Sequence, residues 1–134
     1  MAVMNMNPVV HFEMPAEDKQ RVKKFYEEAF GWEMQQLGAE MGEYILATTT
    51  PVDVKTQRPK ESGAINGGFY QKTEGDTVPH LVISVDDLEQ HMEVVTNAGG
   101  EIQGEPMDIP GIGTFVMFID TEGNRVGMLQ PAEM

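Results

Sequence analysis

The chain has 134 residues, 40% hydrophobic and 23% charged, with no cysteine and a formal net charge of −13. That length suits one compact domain with a sizeable core; the missing cysteines exclude a disulfide framework and a thiol nucleophile. Residues 1–72 hold eight of the nine Lys and Arg against ten acids, whereas residues 73–134 hold Arg125 alone against twelve acids, a field that repels nucleic acid; the acids read first as a solubilising surface and second as an attraction for a cationic or mixed ligand.

The opening segment "MAVMNMNP" lacks the basic region and apolar core of a secretory signal. Residues 9–14 alternate as a strand, with Val10, Phe12 and Met14 on one face and His11 and Glu13 on the other. Pro15 acts as a breaker, and Asp18 is a good cap for a helix. Val22, Phe25, Tyr26, Ala29 and Phe30 form its apolar stripe, the basic residues its solvated face, and Gly31 its left-handed end. Residues 32–37 and 43–49 read as strands joined by "GAEMG", and "TPVDVKTQRPKESG" as a long polar loop. In "AINGGFYQ", a further strand, the paired glycines suggest a bulge or a close backbone approach.

The second half repeats the order. "HLVISV" is a strand; "DDLEQHMEVVTNAGG" is a helix capped by Asp86 or Asp87, with Leu88, Met92, Val95 and Ala98 inward and His91 toward solvent. "EIQGEPMDI" is extended but broken by Pro106, "PGIG" is a turn, and "TFVMFID" and "RVGMLQP" are strands around the turn "TEGN".

His80 and His11, Asp87 and Asp18, Ala98 and Ala29, and Gly100 and Gly31 are each 69 positions apart. A single offset aligns a strand histidine, a helix cap, a helix alanine and a helix-ending glycine. That pattern indicates an internal duplication. At the same offset Tyr44–Ala47 meets Gly113–Val116; after the long loop an offset of 60 aligns Gly67 with Gly127. The expected fold is α+β: one domain of two tandem βαβββ modules, about residues 8–72 and 77–131. Paired, they would form a curved eight-stranded mixed sheet with helices outside and a hollow inside.

The stretches "VVHFEMPAEDKQRVKKFYEEAFGW", "PHLVISVDDLEQHMEVVTNAGGEI" and "GTFVMFIDTEGNRVGMLQ" resemble the vicinal oxygen chelate superfamily, which includes glyoxalase I, bleomycin-resistance proteins and extradiol dioxygenases. The resemblance runs over about residues 8–131. It implies the paired βαβββ fold, a homodimer, and a small-molecule site in the cup of the sheet, often holding a divalent metal. His11 and His80 match the first-strand metal ligands of such proteins. The fourth-strand positions, usually glutamate, correspond to Gly67 (or Asn66) and Gly127. Two imidazoles without the carboxylates make an incomplete set for zinc, nickel, manganese or iron, and Glu13, two residues from His11, is a candidate substitute.

Two functions follow as expectations. The first is a small-molecule binding protein without a metal cofactor, with His11, Glu13, Gly67, Phe69, His80 and Gly127 around its ligand. The second is a metal-dependent lyase, isomerase or dioxygenase using His11 and His80 as ligands. In either, His11, Glu13 and His80 are the candidate catalytic groups, an imidazole serving as general base beside a carbonyl. Against both stand a hydrogen-bonded polar pair of histidines with no ligand, and a dimer that is only an interaction module. Neither nucleic acid nor a membrane is an expected partner, and the expected location is the cytoplasm.

Overall fold

In a computed structural model, residues 6–56 and 58–132 are described. The opening segment examined for a secretory signal lies mostly outside them. The chain divides into two compact units, one of residues 11–79 and one of residue 80 onward together with the chain up to Val10. The boundary thus falls inside the first strand rather than before it. Within the second unit, the Ser84 amide donates to the Pro8 carbonyl at 2.9 Å, which ties the start of that strand to the later residues.

The first unit contains β1 (Val9–Ala16) from His11 onward, α1 (Lys19–Phe30), β2 (Glu33–Gln36), a single 3-10 turn (Ala39–Met41), β3 (Ile45–Thr48) and β4 (Asn66–Gln71). Its strands lie in the order β2-β3-β4-β1, antiparallel except for β1 beside β4. The second contains β5 (His80–Ser84), α2 (Leu88–Asn97), β6 (Glu101–Ile109), β7 (Gly113–Ile119) and β8 (Arg125–Pro131). Its order is β5-β8-β7-β6, with β5 and β8 parallel. Among the described residues, two α-helices and eight strands of mixed direction make the α+β, twice-repeated βαβββ fold expected from the sequence.

The helices start where their caps are. Asp18 accepts from the Arg21 amide at 3.0 Å and Asp87 from the Gln90 amide at 3.1 Å, each satisfying an orphan donor of a first turn. At the other end of α1, Gly31 takes φ 71° and its amide reaches the Glu27 and Tyr26 carbonyls, a left-handed stop that glycine adopts at little cost. Val22 and Tyr26 pack on a cluster of Ala16, Met34, Ile45, Ala47 and Phe69. Met92 and Val95 pack on Val85, Leu88, Val116, Phe118 and Met128. Burying a residue such as Phe69 or Leu88 contributes roughly 1.5–3 kcal/mol.

Four expectations need correction. Pro15 does not break β1, which runs to Ala16, because the fixed φ of proline suits extended chain. Ala98 caps α2 and is exposed rather than inward. Phe25 and Phe30, placed on the apolar stripe, are 54% and 63% exposed, and Ala29 is exposed too, because only Val22 and Tyr26 of the stripe pack on the cluster beneath. Lys19, assigned to the solvated face, is only 9% exposed.

Candidate functional site

On β1, His11 and Glu13 share the face opposite Phe12 and Met14, which pack into the core. Parallel pairing sets Glu13 beside Gly68, and antiparallel pairing sets Leu46 beside the same glycine. Alternation therefore puts Gly68, not Gly67, on the His11 face. A Cβ on Gly68 would collide with the Tyr44 hydroxyl, whereas one on Gly67 would meet the Phe12 ring at 2.6 Å. Gly67 thus lies against the core side, and Phe69 is a fully buried member of the core, its ring 5.3 Å from that of Tyr26. The close backbone approach expected at the glycine pair is present, made by Tyr44 and Phe12.

Tyr44 occupies the space a side chain at 68 would take, and it links the two polar residues of β1. Its hydroxyl donates to the Glu13 carboxylate at 2.9 Å and lies 3.3 Å from His11 Nε2. A phenol has one proton; given to Glu13, it leaves the oxygen only as acceptor, so His11 must carry a proton on Nε2. The neutral ring then has Nδ1 as its accepting nitrogen. Burial, then the charge and hydrogen bond of Glu13, push the Tyr44 hydroxyl far above its ordinary tyrosine value. The phenol consequently stays neutral and acts as a fixed donor. If His11 takes up a second proton, Glu13 offsets the new charge through the phenol. The arrangement can hold a polar group and accept a proton from it.

Neighbouring residues fix this face. The Asn66 side chain accepts from the Thr49 and Thr50 amides at 2.7 and 3.1 Å, anchoring the end of β3. The Tyr70 hydroxyl donates to Asp76 at 2.7 Å.

The second module carries the apolar counterpart. Val82 pairs with Gly127 and Gly127 with Met117, so Gly127 corresponds to Gly68, Val82 to Glu13 and Met117 to Leu46. The glycines are 59 positions apart, not 60, and Tyr44 aligns with Phe115 rather than Gly113. Phe115 covers Gly127 as Tyr44 covers Gly68, its Cε2 lying 2.6 Å from where a Cβ would be. His80, on the same face as Val82, is 7% exposed. Arg125, the counterpart of Asn66, donates from Nε to Gln103 at 3.2 Å. His91, expected in solvent, is partly buried on α2.

Residues 9–128 match the model of the Glyoxalase/Bleomycin resistance protein/Dioxygenase superfamily. The chain belongs to this superfamily. A glyoxylase-like domain-containing protein of Didymella fabae is 32% identical over 123 residues, 84% of each chain. A Streptomyces coelicolor methylmalonyl-CoA epimerase, solved in complex with 2-nitronate-propionyl-CoA, aligns over 97% of this chain and 98% of its own at TM-score 0.69 and 15% identity. A methylmalonyl-CoA epimerase from Mycobacterium tuberculosis aligns over 99% and 94%, at TM-score 0.67 and 13% identity. At such identities the structures show a shared fold.

Members of the superfamily often use divalent metals. In this chain the two fourth-strand positions on the histidine faces are Gly68 and Gly127, each covered by an aromatic ring. Among the described residues no three His, Asp or Glu side chains come together as a metal-holding group. An imidazole and a carboxylate already joined through a phenol do not fit the three or four ligands a divalent ion requires. Sequence reasoning placed His11 and Glu13 together on one face of β1 and did not single out Tyr44 or Gly68 beside that face, or Phe115 over Gly127. The signal for Tyr44 was an aromatic opening the strand that pairs with a double-glycine strand.

Proposed function

We propose that this superfamily member binds a small organic molecule against the His11–Glu13 face of its first module, without the metal site common among its relatives. The observation that carries this reading is the hydrogen-bonded series His11–Tyr44–Glu13. It presents a carboxylate and an imidazole on one face, both oriented by a phenol whose proton is committed to Glu13, as a polar ligand requires. His11 is the proton acceptor of the site, and Tyr44 and Glu13 orient it. The net charge of −13 favours cationic or mixed ligands over strongly anionic ones. The epimerase neighbour was solved with a CoA compound; such ligands are strongly anionic, so they serve as the comparison set that this charge predicts to bind weakly. We further propose a cytoplasmic homodimer, to be tested by sedimentation and fractionation.

A divalent-metal-dependent lyase, isomerase or dioxygenase is the second reading. His11 and His80 at one duplicated position favour it.

Metal content of tag-free protein, purified without chelator, separates the two. The first reading expects no stoichiometric metal, and a ligand from a thermal-shift screen whose effect is lost in His11→Ala and Glu13→Gln. Near-stoichiometric metal that disappears in both His11→Ala and His80→Ala would overturn it in favour of the second.

A further inference from the structure

Tyr44 is delivered by a loop whose backbone is held against its preferences. Gly42 and Glu43 take φ values of 65° and 56°, two left-handed residues in succession, and the second carries a Cβ that disfavours this region. The Glu43 amide donates to the Gly38 carbonyl at 3.1 Å, and the Leu37 amide to the Tyr44 carbonyl at 2.8 Å. The carbonyls of Gly42 and Glu43 both accept from one group, Lys19 Nζ, at 3.3 and 3.1 Å.

Lys19 is an unusual choice for that task. It is the first residue of α1, where the helix dipole disfavours a cation. It is also 9% exposed, and among the described residues it makes no salt bridge. A buried ammonium needs compensation, and the two loop carbonyls provide it. An exposed lysine in the first turn would avoid the cost of burial. What the burial accomplishes is to hold the two residues immediately before Tyr44.

We propose that Lys19 is a positioning residue: by closing the Gly42–Glu43 turn it holds the Tyr44 hydroxyl between His11 and Glu13. The hydrogen bonds of Lys19 go to the turn carbonyls and not to the three side chains. The inference rests on the reading of this face as the functional one, but its test requires no ligand, so the two fail separately.

The test compares the full chain with Lys19→Met, which removes the charge and the donor and is one heavy atom shorter, and with Glu43→Gly, which relieves the Cβ at positive φ. The readouts are the phenol titration of Tyr44, followed by carbon NMR, and the imidazole nitrogen shifts of His11. In Lys19→Met the Tyr44 titration should move down toward the ordinary tyrosine range, and His11 should change from a single Nε2–H tautomer to a mixture. Glu43→Gly, which keeps both carbonyls and relieves the Cβ at positive φ, should leave both signatures near those of the wild type. Lys19→Arg should restore part of the wild-type pattern. Met34→Ala, a cavity in the adjoining core, should lower thermal stability and leave both signatures in place.

Unchanged signatures in folded Lys19→Met would overturn the proposal. If that variant does not fold, unchanged signatures in folded Lys19→Ala would overturn it. Equal changes in Met34→Ala would overturn it too, by reducing the effect to general loosening.

Discussion

The Tyr44 hydroxyl is the atom through which the first module's two polar groups meet, so its removal isolates their coupling. Tyr44→Phe should fold, because Phe115 stands at the equivalent place in the second module. It should also change how stability responds to alkali. In the unfolded chain tyrosine ionises near pH 10, whereas in the folded chain Tyr44 keeps its proton well beyond that. The native state then holds a proton the unfolded state has lost, so stability is fully present below about pH 10 and falls as the pH rises further. Urea unfolding at pH 8 and pH 11 should show a smaller loss in Tyr44→Phe than in wild type. Gly68→Ala puts a methyl where the hydroxyl sits and should cost about 1–3 kcal/mol by overpacking. In Tyr44→Ala the same change should cost little, a non-additivity that a double-mutant cycle measures. Nothing local in the sequence marks Tyr44 as polar-site or core. Its neighbours come from two other strands.

At the scale of the elements, the caps and stripes were legible because they depend on residues within one or two turns. Asp18→Ala and Asp87→Ala each remove a hydrogen bond to a first-turn amide and should each lower stability by about 1 kcal/mol in denaturant unfolding. The effects should add, since each cap serves its own helix. Lys19 shows where local pattern ends. Its place off the apolar stripe of α1 says solvent, yet the carbonyls of the 42–43 turn draw it inside. Pro15 shows the reverse case, a local breaker absorbed into β1 because extended backbone already has its φ. The irregular pairing between Gln103 and Met107 in β6 was legible, since Pro106 cannot supply an amide to a ladder.

For the whole molecule, eleven of the thirteen excess negative charges fall after residue 72, so self-repulsion should be concentrated there. Raising salt from about 20 to about 500 mM contracts the screening length several-fold and should raise the thermal midpoint by a few degrees. A fall would show that ion pairs such as Lys23–Glu27, 3.1 Å apart, outweigh the repulsion. The sequence by itself determined the kinds of element, their doubled order, the superfamily and the histidine face of β1. Each of these is carried by periodicity, caps or matched motifs within one stretch of chain. The tertiary structure alone decided which glycine of β4 shares the face of His11, that Tyr44 stands between His11 and Glu13, and that Phe115 answers it in the second module. The reason is the two-residue period of a strand: slipping the pairing by one residue turns every side chain to the other face. An offset of 60 and one of 59 thus look alike in sequence, but the first picks Gly67, on the core side, and the second Gly68, on the His11 face.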